Sequence, residues 1–325
     1  MESRETQLLG ERKTFFLVNP IAGARKARER WESLLPLLTK EYGEFAWEYT
    51  EGSGSAVAQT KRALDNGFNL IMAVGGDGTV HEVLNGFLKD GIPYVPNTVL
   101  GVWNFGTGGD FARMLYRERT PEILLATLKQ GFVSYTDVGF CECADDKGEQ
   151  TSRYYLNSFD IGIGADTAYE VNTGSKKMGG KLTFMLTAAK CLLKYKYVHM
   201  EIMDIDISAT VKNMSGCYSM VSAGNGQYAG GGMQLTPHAA LDDGLLELML
   251  VHKSSRLKLL SLIPSVYKGK HIKSKLVQTM QVAGFHIRAQ KPIPIECDGE
   301  TVGYTDARVR ILPKVLLLLK PCFAG

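Results

Sequence analysis

Apolar runs of strand length alternate with helical patterns over the first 135 residues, and this alternation limits the fold more than any other feature. The runs at 14–18, 45–49, 70–74 and 99–102 predict strands, and helical spacing lies between them at 27–40, 55–67 and 79–88. Ser55 is the predicted N-cap of the second helix. Alternation of this kind predicts an α/β domain in which helices cover both faces of a parallel sheet.

The pattern changes near residue 136, where one strand-like segment begins to follow another. These segments lie at 135–143, 154–162, 197–207, 218–223 and 245–251, with others up to residue 310, and one helical insert interrupts them at 181–194. Such a succession favours a mainly antiparallel β-sandwich. A length of 325 residues is enough for about two domains. We therefore predict domains of 1–136 and 137–304, with 305–325 a candidate for returning to the first.

Composition and cysteine content narrow the class of protein. The chain has 37 basic and 34 acidic residues, so it lacks the basic excess that is typical of nucleic-acid binding. No signal-like or membrane-spanning apolar run is present, and the cysteines lack disulfide spacing. Cys141 and Cys143 form a lone C-x-C, which predicts a shared strand face rather than a zinc site. We expect a cytoplasmic protein with reduced cysteines and no transmembrane segment.

The 35 glycines exceed the average share of about 7%, and several cluster where predicted strands end. The segment Gly75-Gly76-Asp77-Gly78-Thr79 follows one strand and opens a helix. Its glycines let the backbone approach a ligand, and a helix N-terminus favours phosphate. Asp77 would repel phosphate unless it holds Mg²⁺, directly or through water. A tight turn between strand and helix is the alternative, which explains one glycine but not three.

Two further loops are predicted at the same sheet edge. Residues 19–23 end the first strand, and residues 106–110 end the fourth with Thr107 and Asp110. Ligands bind parallel sheets beyond the carboxyl ends of their strands. Three glycine-bearing loops at one edge therefore predict a nucleotide site.

Residues 75–86 (GGDGTVHEVLNG) resemble the nucleotide signature of the diacylglycerol kinase catalytic-domain family, which includes bacterial lipid kinases and the sphingosine and ceramide kinases. The resemblance continues through 19–23, Thr50, 106–113, 137–139 and 298–300. It implies an NAD kinase-like α/β domain for the nucleotide, a β-sandwich domain for the lipid substrate, and an active site in the cleft between them.

Carried over by position, the resemblance implies ATP and Mg²⁺ as cofactors and Glu300 as general base, with Asp298 and Asp77 as further catalytic acids. From spacing alone, 298–300 predicts a turn between strands. We expect burial near the other acids to raise the pKa of Glu300. The nucleotide contacts implied are Asn19, Pro20, Ile21, Ala22, Gly23, Thr50, Gly75, Gly76, Asp77, Gly78, Thr79, Val80, His81, Glu82, Thr107 and Asp110.

The resemblance also implies a structural Mg²⁺ ion bound by the Asp243 carboxylate and the carbonyls of Ala240 and Leu245. The residues themselves predict a hairpin turn before the strand at 245–251, and both interpretations stay open. Departures from the family pattern fall in the third loop, where residues 103–105 (WNF) stand in place of an apolar-Pro-apolar triplet and Gly109 replaces Asn or Ser.

Two features leave alternatives open. Residues 175–197 mix lysines with apolar residues, which is typical either of an amphipathic helix on an anionic membrane or of a helix that covers the sandwich. His81 is predicted to cap or pack the start of its helix rather than to transfer a proton.

The function predicted from these features is an ATP-dependent lipid kinase of phospholipid biosynthesis that converts diacylglycerol to phosphatidic acid. The alternatives are a sphingosine- or ceramide-type lipid kinase, an NAD kinase, and a non-catalytic regulator that binds nucleotide or lipid. We expect peripheral membrane association during turnover, no nucleic-acid partner, and a homodimer as an open question.

Overall fold

The computed structural model describes residues 7–8, 10, 12–173, 181–207 and 210–322. The chain divides into two compact units, which we call unit 1 (Met1–Thr136 with Lys314–Gly325) and unit 2 (Asp137–Pro313). Residues 175–180 of the segment that sequence suggested for membrane contact lie outside the described residues.

The strands are β1 (Gln7–Leu8), β2 (Thr14–Val18), β3 (Ala46–Tyr49), β4 (Leu70–Gly75), β5 (Leu88–Lys89), β6 (Ile92–Pro93), β7 (Val99–Asn104), β8 (Phe132–Ala144), β9 (Gln150–Tyr155), β10 (Ser158–Gly162), β11 (His199–Ile207), β12 (Thr210–Gly224), β13 (Tyr228–Ala229), β14 (Met233–Gln234), β15 (Leu246–His252), β16 (Val277–Val282), β17 (Gly284–Ala289), β18 (Pro294–Cys297) and β19 (Glu300–Lys320). The helices are α1 (Ala22–Arg25), α2 (Ala27–Glu41), α3 (Ser55–Asp65), α4 (Asp77–Phe87), α5 (Asp110–Leu115), α6 (Pro121–Gln130), α7 (Ile163–Thr173), α8 (Lys181–Lys194) and α9 (Arg256–Val266), with a 3₁₀ turn at Lys270–Lys273.

Unit 1 contains a parallel sheet in the order β19, β7, β4, β2, β3, so the predicted parallel sheet is confirmed. Strands β2 and β4 are buried along their whole length, as expected for central strands. Trp31 of α2 packs on one face of the sheet, with its ring 5.2 Å from that of Phe16 and 5.8 Å from that of Trp47. Because β2, β4 and β7 are parallel neighbours in this sheet, their carboxyl ends lie side by side, and the loops that follow them come together.

Helices α5 and α6 of unit 1 were not predicted from the sequence, although α6 has clear start signals. Thr120 is its N-cap, with a hydroxyl that accepts a hydrogen bond from the Ile123 N–H at 3.4 Å, and Pro121 occupies the first helical position. Residues 314–320 of β19 complete the sheet: Leu317 and Leu318 pair in parallel with Val99 and Leu100.

The strand pairs of unit 2 that form its main sheet are antiparallel from β10 to β18, β19, β17, β11, β12, β15 and β16, which confirms the predicted mainly antiparallel, sandwich-like domain. Pairing runs in a closed circuit from β10 through β18, β19, β17, β11 and β12 back to β10. Strands β15 and β16 extend the sheet from β12. Inward-facing aliphatic and aromatic side chains from these strands form one core, which includes Phe159, Ile202, Leu248 and Ile295.

Two predictions for unit 2 were wrong. The expected strand at 154–162 is divided into β9 and β10, because the N–H groups of Leu156 and Asn157 bind the Asp298 carboxylate instead of continuing a ladder. The single helical insert is matched by α8, but α7 and α9 are helices as well. Helix α9 contains Pro264, which weakens a helical prediction. Among the helices in the part of the chain that the structure describes, none is long and apolar enough to cross a bilayer.

Candidate active site

Asn19 joins the first loop of unit 1 to the second. Its Nδ2 donates to Thr79 Oγ1 at 3.0 Å, its Oδ1 accepts the Ile21 N–H at 3.1 Å, and its own N–H donates to the Val74 carbonyl at 2.8 Å. The predicted contact residues 19–23 and 75–82 thus meet at the carboxyl ends of β2 and β4. The side chain of Asn19 is bound to protein groups, so its role within the loop pair is to fix their shape.

The second loop leads directly into α4. Gly76 is the N-cap residue, Asp77 is the first helical residue, and the N–H groups of Thr79 and Val80 donate to the Gly76 carbonyl at 3.0 and 3.2 Å. The helix N-terminus therefore lies at the sheet edge, where its N–H groups and dipole favour an anion.

The third loop passes very close to the second. A Cβ on Gly106 would lie 2.6 Å from the Cα of Gly76 and 3.1 Å from Asn104 Oδ1. No side chain can be accommodated at that distance, so position 106 requires glycine. The backbones of the two loops consequently form one continuous surface, of the kind that lets main-chain N–H groups approach phosphate oxygens.

The departures from the family pattern in the third loop have a structural explanation. Asn104 Nδ2 donates to the Gly106 carbonyl at 3.1 Å, and Asn104 Oδ1 accepts the Gly106 N–H at 3.1 Å. Gly109 has a φ of +67°, and a Cβ there would overlap the side chains of Asn104 and Arg119. Asn104 thus closes the turn by hydrogen bonding, and glycine at 109 makes room for it.

Asp77 binds the third loop. Its carboxylate accepts the Gly109 N–H at 2.8 Å and the Phe111 N–H at 3.2 Å, at the start of α5. Helix α5 begins at Asp110, which is buried, and Asp110 Oδ1 lies 3.5 Å from Arg113 Nε. The Asp77 carboxylate therefore lies next to the segment that contains Asp110, while Thr107 is exposed in the third loop.

Three arginines lie near these loops, and the sequence assigned a role to none of them, although Arg113 is within the matched segment 106–113. Arg30 Nη1 donates to the Phe105 carbonyl at 3.4 Å, Arg113 Nη2 donates to the Gly108 carbonyl at 3.3 Å, and Arg119 lies against Gly109. Partial burial lowers the pKa of Arg119, the nearby charge of Arg113 lowers it further, and Asp77 and Asp110 oppose the shift. No local motif marks Arg30 or Arg119, because the fold and not the spacing brings them here.

Glu82 holds the start of α3. Its Oε1 accepts the Gly54 N–H at 2.8 Å and its Oε2 accepts the Ala56 N–H at 3.1 Å. The prediction of Ser55 as N-cap was wrong: Gly54 is the N-cap residue, and Ser55 Oγ accepts the N–H groups of Glu51 and Gly52. Glu82 supplies the acceptors because the left-handed Gly54 has no side chain to do so.

Thr50 and His81 lie beside these loops. The Thr50 N–H donates to the Val18 carbonyl at 2.9 Å, which places Thr50 at the end of β3 next to the first loop. His81 is buried in α4, where Asn85 Nδ2 donates to the His81 carbonyl at 2.8 Å and lies 3.5 Å from its Nε2. A histidine that packs the start of its helix, as was predicted for His81, would be buried in this way.

In unit 2, Asp298 and Gly299 form a two-residue hairpin turn between β18 and β19, with φ values of +52° and +91°. The Asp298 carboxylate accepts three N–H groups, from Leu156 at 2.8 Å, Asn157 at 2.8 Å and Ser158 at 3.2 Å. Glu300 is the first residue of β19 and is exposed, so the burial that we expected for it is not present.

The predicted structural metal loop is a turn braced by Asp137. Asp137 Oδ2 accepts the Gly244 N–H at 2.6 Å, and the Asp137 N–H donates to the Leu241 carbonyl at 2.7 Å. Asp243 Oδ1 accepts the Leu245 N–H at 3.0 Å, and the partial burial of Asp243 raises its pKa. The residues Ala240, Asp243 and Leu245 offer carboxylate and carbonyl oxygens, the donor type that Mg²⁺ takes.

An apolar pocket lies in unit 2 between helices α7, α8 and α9 and strands β12 and β15. Its empty volume is about 730 Å³, part of which is open to solvent. The few polar groups include Thr167 and His271, whose Nε2 donates to the Leu235 carbonyl at 2.9 Å. Burial lowers the pKa of His271, which favours the neutral ring. Its apolar lining includes Phe184, Leu192, Met220, Met249, Leu259 and Ile263.

Comparison with known proteins agrees with this geometry. Residues 13–141 match the diacylglycerol kinase catalytic domain, and residues 157–320 match the YegS C-terminal NAD kinase beta sandwich-like domain. A diacylglycerol kinase of Staphylococcus carnosus is 25% identical over 90% of this chain and 89% of its own. One from Staphylococcus aureus (strain MRSA252) is 26% identical over 94% of this chain and 91% of its own.

Solved structures share the fold. One from Bacillus anthracis has a TM-score of 0.76 at 21% identity and covers 100% of this chain and 99% of its own. A yeast NADH kinase in complex with NADH has a TM-score of 0.53 at 10% identity, with 99% of this chain and 88% of its own covered. The two matched domains together account for nearly all of the described chain, and the chain therefore belongs to the diacylglycerol kinase catalytic-domain family.

Proposed function

We propose that the protein is an ATP-dependent lipid kinase that transfers the γ-phosphoryl group to a lipid hydroxyl, most simply that of diacylglycerol, to give phosphatidic acid. The observation that carries this proposal is the apolar pocket of unit 2, which belongs to the same unit as Glu300. A lining of aliphatic, aromatic and methionine side chains suits acyl chains and offers little to a nucleotide acceptor such as NAD⁺.

The loops of unit 1 are proposed to bind the ATP phosphates. The close approach of Gly106 to Gly76 brings the backbones of two loops together beside the N-terminus of α4, which adds its dipole. Arg30, Arg113 and Arg119 add positive charge around the same loops. Asp77 and Asp110 are proposed to lie beside the phosphates, with Asp77 also fixing the third loop through Gly109 and Phe111.

The oxygen donors fit Mg²⁺ at both predicted places: Asp77 beside the phosphate loops, and Asp243 with the carbonyls of Ala240 and Leu245. When bound with the nucleotide, Mg²⁺ neutralises charge on the phosphates. The residues of the chain orient the phosphates, position the acceptor hydroxyl and receive its proton.

Glu300 is the proposed general base. As the acceptor oxygen bonds to the γ-phosphorus and the bond from the γ-phosphorus to the bridging oxygen of ATP breaks, the acceptor proton passes to the Glu300 carboxylate. The exposure of Glu300 supports this role, because an incoming lipid hydroxyl can reach it. Asp298 is proposed to act beside it by holding the turn, since its carboxylate binds three N–H groups.

Membrane contact is proposed at helices α8 and α9. Leu186 and Leu193 of α8 are 52% and 50% exposed, and Leu257 of α9 is 80% exposed. Exposed Lys190 and Lys194 lie on α8 near these leucines, a combination that suits the surface of an anionic membrane.

The test is transfer from γ-labelled ATP to diacylglycerol, monoacylglycerol, sphingosine, ceramide, undecaprenol and NAD⁺, offered separately. We expect label in diacylglycerol, and a loss of at least about 100-fold in kcat for Glu300→Gln, because an amide cannot accept the proton. Glu201→Gln, an exposed acid on β11, is the matched control. Label in NAD⁺ alone would support the NAD kinase alternative that the shared fold permits, and binding of ATP without any transfer would support a non-catalytic regulator.

A further inference from the structure

Two acidic side chains with no part in the proposed chemistry are buried next to the turn that carries Glu300. Asp160 of β10 and Glu296 of β18 lie directly opposite each other in antiparallel register and are only 2% and 5% exposed. Like charges facing each other across strands are destabilising, and more so without solvent. A buried pair of this kind is stable only if it holds a proton.

Both acids are hydrogen-bonded to the turn or to the residues that anchor it. Glu296 Oε1 accepts the N–H of Gly299, the central glycine of the turn. Asp160 Oδ2 accepts the Ser158 hydroxyl at 2.9 Å, while the Ser158 N–H donates to the Asp298 carboxylate at 3.2 Å. The pair therefore reaches Gly299 directly and Asp298 through Ser158.

The surroundings of the pair favour a protonated carboxyl group. Burial raises the pKa of Glu296, and the adjacent negative charge and hydrogen bond of Asp160 raise it further. Burial also raises the pKa of Asp160, while the hydrogen bond from the Ser158 hydroxyl opposes the increase. Because burial raises the pKa of both carboxyl groups, the facing pair holds a proton.

We propose that Asp160 and Glu296 are positioning residues, which share one proton and hold the Asp298–Gly299–Glu300 turn so that the Glu300 carboxylate meets the acceptor hydroxyl. The role of Glu300 rests on the proposed function, whereas the restraint on the turn does not. A neutral Glu296 carboxyl group can accept the hydrogen bond from the Gly299 N–H without adding a second negative charge beside Asp298. Asp298 also anchors the turn, through the three N–H groups that its carboxylate accepts.

Four variants test this proposal. Glu296→Ala removes the acceptor of the Gly299 N–H and the donor to Asp160, and Asp160→Ala removes the partner but keeps the contact with Gly299. Glu296→Gln is the conservative variant, because its amide donates to Asp160 and its carbonyl accepts from Gly299. Ile161→Val, in the neighbouring buried pair with Ile295, is the control for lost stability without a changed contact to the turn.

For Glu296→Ala we expect kcat to fall about 10- to 100-fold with the KM for ATP unchanged, since a base misplaced by about 1 Å has effects of that size. Amide hydrogen exchange of the peptide spanning 297–303, measured without substrates, should become about five times faster or more. Asp160→Ala should show smaller changes in the same direction. Glu296→Gln should stay within about threefold of wild type, and Ile161→Val should lower Tm only.

Wild-type kcat and exchange in Glu296→Ala would overturn the proposal. If Glu296→Ala does not fold, unchanged amide hydrogen exchange of the turn in Asp160→Ala would overturn the proposal instead. Glu296→Gln as impaired as Glu296→Ala would refute the shared proton. Failure of the proposed function is distinguishable: it appears as an inactive wild type or a fully active Glu300→Gln, while the exchange of the turn still reports on the pair.

Discussion

At the residue scale, Asp77 and Asp298 each hold a loop in place through backbone N–H groups. Sequence patterns predicted both acids as part of the site, and the glycines around them as turns. The patterns could not predict that Asp77 would bind Gly109 and Phe111, or that Asp298 would interrupt a strand at Leu156 and Asn157. These contacts join segments far apart in the chain, so only the tertiary structure specifies them.

Gly106→Ala tests the close approach of the two phosphate loops. A Cβ at this position lies 2.6 Å from the Cα of Gly76, so one loop has to move. We expect kcat/KM for ATP to fall about 100-fold, because displaced N–H groups no longer fit the phosphates. Gly216→Ala, where the nearest atoms are 3.6 Å away, is the matched control and should leave steady-state kinetics unchanged.

The buried acid pair predicts a pH dependence of stability. Glu296 has a raised pKa when folded but a pKa of about 4.3 when unfolded, so the folded state binds more protons. Its contribution is therefore fully present below pH of about 4.3 and is lost as pH rises toward the folded pKa. We expect the Tm of Glu296→Gln to rise relative to that of wild type as pH increases from about 4.3 toward the folded pKa of Glu296, as followed by circular dichroism. Parallel Tm curves for the two proteins would contradict this expectation.

At the element scale, helices were predicted well where apolar periodicity and termini agreed, as in α2 and α8. Helix α9 escaped prediction because Pro264 lies inside it, and α7 because Gly164 lies at its start, directly after a strand. The apolar pocket could not be predicted at all, since it depends on how α7, α8 and α9 pack on the sheet.

Ala188→Phe tests whether the pocket accepts acyl chains. Ala188 of α8 lines the pocket, and a phenyl ring there removes part of its volume. We expect the KM for long-chain diacylglycerol to rise about tenfold, with little change for a short-chain analogue, since each buried CH₂ contributes about 0.8 kcal/mol. Ala189→Phe, one position along the helix and outside the lining, is the control. An equal effect on both chain lengths would speak against the assignment.

Leu186→Ser combined with Leu193→Ser tests membrane contact at α8. Both side chains are about half exposed, so their loss should leave the fold intact. We expect binding to vesicles that contain phosphatidylglycerol to weaken about tenfold in sedimentation, because less apolar surface enters the membrane. The control is Val211→Ser, an exposed apolar residue on β12. Undiminished vesicle binding by the double variant would exclude α8 as the membrane contact.

At the scale of the whole molecule, alternation of strands and helices predicted the parallel sheet of unit 1, and successive strands predicted the antiparallel unit 2. Both follow from local patterns, because strand spacing limits which connections are feasible. The closed circuit from β10 to β12 was not predictable, since its pairs join strands distant in sequence, such as β10 with β18. The extent of β19, which belongs to both units, was also missed.

Leu318→Ala tests how far unit 1 depends on the end of the chain. Leu318 is fully buried and pairs with Leu100. Replacing the Leu318 side chain with a methyl group should lower the free energy of unfolding by about 2–5 kcal/mol, as is typical for a buried leucine. Urea unfolding measures the loss, and Lys314→Ala, in the same strand, provides the control. A loss below about 1 kcal/mol would mean that the sheet tolerates an incomplete edge.

The position of β19 has a consequence for biosynthesis. Until residues 317 and 318 leave the ribosome, β7 is an edge strand of the parallel sheet, with its ladder groups open to other partners. The phosphate loops and the strands that carry them lie within the first 111 residues, but the sheet that supports them is completed by residues 314–320. The parallel sheet of unit 1 is therefore completed only after residues 317 and 318 have been synthesised, and a nascent chain stalled before residue 314 exposes β7 to chaperones or to aggregation.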